Sequence, residues 1–163
     1  MKTNFLKTFT AALIAVMFIF SGCTKEEAAE PMQTGTETTE DNMRQMQVYP
    51  LSSVTDSSIS GTVSFQKAGP NTKVTIMLEG TMQDGDHPAH IHFNSAAEGG
   101  GIAISLNNVN GASGRSTTIV NMMDSGTAIT YEDLLNFDGH VNVHLSPTNL
   151  ATLIARGDIG SNF

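Results

Sequence analysis

The chain has 163 residues, of which 39% are hydrophobic and 15% charged, the balance of a globular protein. Acidic residues number 16 against 8 Lys and Arg, a formal net charge of -8 that argues against a nucleic-acid partner and against a polybasic membrane patch. The single Cys excludes an intramolecular disulfide framework and a cysteine-rich zinc site.

The first 22 residues have the pattern of an export signal. Lys2 and Lys7 supply positive charge, and the apolar run from Ala11 to Phe20 has about half of the 20 residues that a bilayer-spanning helix needs. The segment Phe20-Ser21-Gly22-Cys23 resembles the lipobox of bacterial lipoproteins, although Phe20 stands where Leu is usual. The resemblance implies that residues 1–22 are removed and that Cys23 carries lipid, which would anchor the chain to a membrane of the bacterial cell envelope. The outer membrane or the cell surface is a candidate location. An ordinary secretory signal with an incidental Cys is the alternative.

Residues 23–45 are predicted to form a flexible acidic tether. This stretch is rich in Thr, Glu, Ala and Gln and contains almost no large aliphatic residue. Such a composition cannot bury a core, because too little apolar surface is available to offset the entropy of ordering the chain. The folded domain is therefore expected to span residues 46–163, a length at which a domain buries roughly two thirds of its unfolded surface.

Alternating side chains predict an antiparallel hairpin at the start of this domain. In the segment from Ile59 to Phe65, Ile59, Val63 and Phe65 share one face of a strand, and polar residues take the other. The segment from Lys73 to Leu78 places Val74, Ile76 and Leu78 on one face in the same way. A Gly-Pro-Asn turn at residues 69–71 joins the two strands.

Shorter strands and one helix are predicted in the rest of the domain. The strand candidates are Ala89 to Asn94, Gly101 to Leu106, Arg115 to Val120, Gly139 to Leu145 and Leu153 to Ile159. The helix candidate runs from Thr130 to Phe137, where Thr130 and Asp133 have the spacing of a capping box. Seven or eight short strands with one short helix indicate an all-β fold, an antiparallel β-sandwich or a flattened Greek-key barrel.

All five His lie in two short segments, residues 87–92 and residues 140–144. Residues two apart in a strand project from one face, so His90 and His92 form one pair and His140 and His144 another. Neutral imidazoles that converge in this way suit copper or zinc. Alternatively, these His satisfy polar roles within the sheet. The predicted metal ligands are His90, His92 and His144, with His140 or His87 as a possible fourth, and Asp138 or Asp86 as the acceptor that orients a ligand ring.

The same residues carry a resemblance to the CHRD domain, a family named from chordin and widespread in bacterial secreted proteins. The matching motifs are His87-Pro88-Ala89-His90-Ile91-His92, Gly99-Gly100-Gly101, Val141-Asn142-Val143-His144 and Arg156-Gly157-Asp158-Ile159. His140 departs from the family pattern, which usually has Tyr there. The resemblance covers residues 46–163 and implies a β-rich extracellular module without a settled activity.

A second, more distant resemblance is to copper/zinc superoxide dismutase. The segment from Gly85 to His92 is similar to the start of that enzyme, whose His-x-His pair supplies two copper ligands. The chain lacks the cysteine pair of the family disulfide, and no His occurs from Gly99 to Asn136, so the bridging ligand and the zinc cluster have no counterpart.

Three functions are compatible with these patterns. The favoured one is a lipid-anchored CHRD-type module that binds copper or zinc for storage, buffering or sensing. The alternative is a metal-free module that presents a β-surface to a protein or a glycan of the envelope. A dismutase-like redox enzyme with one copper ion is the least favoured. The expected partner is a membrane, which the chain contacts through the lipid on Cys23. Nucleic acid is not expected to bind, and the sequence does not specify a protein partner.

Overall fold

The computed structural model describes residues 45–54 and 58–163. The predicted signal peptide, Cys23 and the tether up to residue 44 lie outside the described residues. Within the described part, no helix has both the length and the apolar character needed to cross a membrane.

Eight strands and one short helix make up this part of the chain. In chain order the strands are β1 (Met46–Ser53), β2 (Ser60–Ala68), β3 (Asn71–Glu79), β4 (Asp86–Phe93), β5 (Ile102–Asn110), β6 (Arg115–Val120), β7 (Asp138–Ser146) and β8 (Asn149–Gly160), and helix α1 (Tyr131–Leu135) lies between β6 and β7. The strands predicted from alternation correspond to β2 to β8.

Strand β1 was not predicted from the sequence. Its buried residues are Tyr49 and Leu51, while the apolar Val48 is exposed, so hydrophobic side chains lie on both faces and no period of two is visible. Pro50, which cannot donate a ladder hydrogen bond, weakens the strand signal further. Tertiary pairing with β2 along its length and with β8 at Ser52 and Ser53 makes this segment a strand.

The strands close into one antiparallel barrel in the order β1-β2-β3-β6-β5-β4-β7-β8, with β8 pairing back onto β1. The predicted all-β antiparallel class is thus confirmed, and of the two architectures expected the closed barrel is the one formed. The predicted hairpin is β2 and β3, which pair from Ser60 opposite Glu79 to Ala68 opposite Asn71. Gly69 takes a φ of 63° in the turn between them, a conformation that glycine adopts without steric cost.

Apolar side chains fill the inside of the barrel. The faces predicted for the hairpin are confirmed, since the side chains expected to share them are all buried: Ile59, Val63, Phe65, Val74, Ile76 and Leu78. Helix α1 begins at the predicted capping box, where the Thr130 hydroxyl accepts from the Asp133 N–H at 3.1 Å and the Asp133 carboxylate accepts from the Thr130 N–H at 2.9 Å. The helix is shorter than predicted and contributes Tyr131 and Leu134 to the core.

Candidate metal centre

The barrel places the two histidine-bearing strands side by side. Strand β4 lies between β5 and β7, and it pairs with β7 in antiparallel register, with His90 opposite Asn142 and His92 opposite His140. Directly opposed residues of such a pair project from the same side of the sheet. Ile91 and Val143 are fully buried in the core, so the histidines with even numbers lie on the outer side of the barrel wall.

Three of these histidines form one group. One ligand atom of each of His90, His92 and His144 lies within 4.8 Å of the others. The closest approach joins His90 Nδ1 and His144 Nε2, which are 3.2 Å apart. Two nitrogens bound at about 2.0 Å to a tetrahedral ion are about 3.3 Å apart, so this pair already has the separation that such an ion requires. The three side chains that were predicted as ligands could therefore hold a metal ion.

Backbone carbonyls set the tautomers of two of the rings. His92 Nδ1 lies 2.9 Å from the Gly100 oxygen, and His144 Nδ1 lies 2.6 Å from the Leu150 oxygen. A carbonyl only accepts, so each Nδ1 carries the proton, and in the neutral ring Nε2 keeps a lone pair. The Nε2 atom of His92 is buried and has no hydrogen-bond partner among the described residues. Both rings thus present an unprotonated nitrogen, the form in which imidazole binds a metal.

The orienting groups differ from those predicted. The Asp138 carboxylate accepts from the Asn162 amide at 2.8 Å, and the Asp86 carboxylate accepts from the Asn108 amide at 2.8 Å. Neither is the hydrogen-bond acceptor of a grouped histidine; backbone oxygens have this role instead. The Gly100 oxygen lies in the loop after β4 and the Leu150 oxygen lies in β8. Backbone carbonyls have no signature in the side-chain sequence, so the sequence predicted carboxylates instead.

The loop after β4 supplies the oxygen that orients His92. A Cβ added at Gly100 would lie 2.2 Å from the Phe93 oxygen, so only glycine lets the loop pass this close to the end of the strand. The Phe93 N–H in turn donates to the Gly101 oxygen at 3.1 Å. The close approach of the loop to Phe93 therefore explains why glycine is required at position 100, within the run Gly99-Gly100-Gly101.

The two residues considered as a fourth ligand occupy different places. His140 stacks on His92, with ring centroids 5.1 Å apart and planes at 21°, and its Nδ1 lies 2.8 Å from the Asn94 oxygen. His87 is buried on the core side of β4, where its Nδ1 lies 2.8 Å from the Leu145 oxygen. The odd spacing between His87 and His90 accounts for this placement, because it puts the two side chains on opposite faces of the strand.

Burial lowers the pKa of two of the grouped rings, His90 and His92. Burial lowers the pKa of His90, the positive charges that His144 and His92 would carry lower it further, and the Asp124 carboxylate opposes these effects. Burial also lowers the pKa of His92, against the opposing effect of the hydrogen bond to Gly100 and together with the charges of His140 and His144. Rings with a lowered pKa are unprotonated at neutral pH and available as ligands.

Asp124 is the charged neighbour that the sequence did not reveal. Its carboxylate accepts from the Ser105 N–H at 3.0 Å and from the Ser105 hydroxyl at 2.7 Å. These hydrogen bonds, together with the proximity of His90, lower the pKa of Asp124. Ser105 is the β5 partner of His90 in the register, so the loop that carries Asp124 is fastened beside the histidine group. No spacing rule links residue 124 to residue 90, and only the barrel brings them together.

Comparison with protein-family models, with curated proteins and with solved structures gave no match to this chain. The resemblance to the CHRD domain remains a prediction from sequence motifs.

Proposed function

We propose that the chain is a lipid-anchored CHRD-type module of the bacterial cell envelope that binds a transition-metal ion, copper or zinc, through His90, His92 and His144. The observation that supports the metal most strongly is the convergence of the three ligand atoms to within 4.8 Å. The lipid anchor rests on the lipobox-like sequence at Cys23, and the module type rests on the CHRD-like motifs.

The donor set fits both proposed metals. Three neutral imidazoles are a set that zinc and Cu(II) accept at bond lengths of about 2.0 Å. The groups that orient two of the rings are already in place, since the Gly100 and Leu150 oxygens hold His92 and His144 with Nε2 as the unprotonated nitrogen. The proposed role is storage, buffering or sensing, in which the chain binds and releases the ion and no catalytic residue is assigned.

Calorimetric titration with Zn(II) and Cu(II) tests the proposal. The protein is the full chain carrying Cys23→Ser, which removes the only thiol and with it a competing soft ligand. We expect stoichiometric binding of one ion. Binding should also raise the melting temperature, because free metal at 100 times Kd increases the apparent free energy of unfolding by roughly 2.7 kcal/mol. The double substitution His90→Ala with His144→Ala should abolish both effects.

A histidine outside the group provides the matched control. His87→Asn keeps an amide N–H near the position of the ring Nδ1 that faces the Leu145 oxygen. This variant is expected to lose some stability, because it alters a buried position, but to bind the metal with the wild-type affinity. A wild-type protein whose heat signal and melting temperature do not respond to either metal would refute the metal-binding function and favour the metal-free envelope module.

A further inference from the structure

We infer that Asn142 completes the metal centre: its side-chain oxygen is a fourth donor, so that the site takes a divalent cation on three nitrogens and one oxygen. The inference rests on the proposed function, because it concerns the ion held by His90, His92 and His144. It adds a fourth ligand to that site and favours Zn(II) or Cu(II) over Cu(I) as the bound ion.

The position of Asn142 in the sheet places it beside the histidines. It lies between His140 and His144 on the outer side of β7, since Val141 and Val143 are fully buried on the inner side. Its register partner on β4 is His90, and its partner on β8 is Arg156. Side chains that oppose each other across antiparallel strands have Cβ atoms about 4.5–5.5 Å apart, within reach of a shared ion.

The amide oxygen of Asn142 is buried without a donor. The residue is only 9% exposed, and its Oδ1 has no hydrogen-bond partner among the described residues. Buried polar atoms in native proteins are almost always satisfied, by protein groups, by water or by ions. An amide oxygen can only accept, so what this position lacks is a hydrogen-bond donor or a cation.

The neighbouring histidines make a cation the better match. His92 Nε2 is a second buried atom without a partner among the described residues, and its lone pair is also an acceptor. His144 Nε2 is a third acceptor, and the described donor to it is the His90 ring 3.2 Å away. Acceptors therefore exceed donors in this small outer-face group. Two of these acceptors, Asn142 Oδ1 and His92 Nε2, lack a donor among the described residues. One water molecule could donate to those two alone, whereas a cation also binds His90 Nδ1 and His144 Nε2, whose 3.2 Å separation already suits a tetrahedral ion.

The oxygen donor bears on which metal is bound. Imidazole nitrogens bind both zinc and copper, so the three histidines alone do not select between these metals. Cu(I), however, favours soft thiolate and thioether ligands. An amide oxygen is a hard donor and stabilises a divalent ion relative to Cu(I). The donor set of three imidazoles and one amide oxygen thus favours Zn(II) or Cu(II) over Cu(I).

Replacement of Asn142 tests the inference in the full chain carrying Cys23→Ser. Asn142→Asp places a charged oxygen at the same position and is expected to tighten Zn(II) binding by about tenfold or more. Asn142→Ala removes the oxygen and should weaken binding by about tenfold or more, at least as much as the loss of a hydrogen bond to a ligand costs. Asn71→Asp is the matched control, because it adds the same charge at the start of β3, which adjoins neither β4 nor β7.

A spectroscopic measurement separates coordination from a general effect of charge. The visible absorption spectrum of bound Co(II) reports on its ligands. The spectrum of Co(II)-loaded Asn142→Ala and Asn142→Asp should differ from that of the Co(II)-loaded wild type, whereas that of Asn71→Asp should match it. Circular dichroism of each variant verifies the fold, and the aspartate variant keeps the test valid if the alanine variant unfolds. Zn(II) affinities within about twofold of wild type for both Asn142 variants would overturn the inference while leaving the histidine site intact. If wild type itself binds no metal, the proposed function fails and the inference with it.

Discussion

His90 Nδ1 lies 3.2 Å from His144 Nε2, and in the neutral site the proton between them belongs to His90. This assignment follows because His144 already donates its Nδ1 proton to the Leu150 oxygen at 2.6 Å, which leaves Nε2 as an acceptor. The two rings are thus held together by a hydrogen bond whose two nitrogens can also bind a metal.

A metal ion bound between these nitrogens must displace that proton. We predict that Zn(II) moves the His90 proton from Nδ1 to Nε2, while His144 keeps its proton on Nδ1. Nitrogen-15 NMR of the histidine side chains distinguishes the two tautomers of each ring. Retention of the proton on His90 Nδ1 in the zinc-loaded protein would show that this ring binds through its other nitrogen.

The stability of the metal-free domain should depend on pH through His90 and His92. The pKa of each is lowered in the folded state, mainly by burial. The unfolded chain therefore binds more protons than the folded one just below about pH 6.5, the ordinary histidine value. Stability is complete above that pH and is lost as the pH falls through the lower folded values. Urea unfolding at a series of pH values measures this, and the combined substitution of both residues by Gln should flatten the profile in this window.

Gly100 should be intolerant of a side chain. A Cβ there would lie 2.2 Å from the Phe93 oxygen, so Gly100→Ala must shift the loop and the carbonyl that orients His92. We expect a loss of about 1–3 kcal/mol in stability and of about tenfold in metal affinity. The control is Gly101→Ala, because a Cβ at Gly101 meets nothing within 4 Å. Equal metal affinities for Gly100→Ala and Gly101→Ala would show that the loop does not contribute to metal binding.

The capping box of helix α1 predicts a smaller effect on stability. Thr130→Ala removes the hydroxyl that accepts from the Asp133 N–H at 3.1 Å, and should lower the free energy of unfolding by about 1 kcal/mol. Thr130→Ser keeps the hydroxyl and should stay close to wild type. Thermal unfolding measures both. Because α1 packs mainly against β2 and β8 and carries none of the grouped histidines, neither variant is expected to change metal binding.

Lipid attachment is predicted at Cys23, the only cysteine of the chain. Cys23→Ser should abolish incorporation of a labelled fatty acid and leave the precursor uncleaved at this position, because lipidation of a lipoprotein requires the thiol. Labelling in a bacterial host followed by gel electrophoresis measures both. Normal labelling of the variant would exclude a lipid anchor at this position.

Much of the fold can be derived from local patterns. Alternation in segments such as Ile59 to Phe65 predicted strands and their buried faces, because a pleated strand turns successive side chains to opposite sides. The pairs His90 with His92 and His140 with His144 could be assigned to one face of their strands for the same reason. Period two is a property of the single strand, so it is readable without any knowledge of the partners.

The pairing of β4 with β7 was decided by the tertiary structure alone. Strand order depends on how the whole sheet closes, which no local pattern encodes, and it brings His144 within reach of His90 across 54 residues of chain. The same closure places Asp124 beside His90 and Asn142 opposite it. The carbonyls that orient His92 and His144 could not be predicted from the sequence either, since a backbone oxygen is the same in every residue. The path of the loop after β4 selects the Gly100 oxygen, and the position of β8 beside β7 selects the Leu150 oxygen. The sequence determined which side chains could bind a metal, and the closed barrel determined which of them meet.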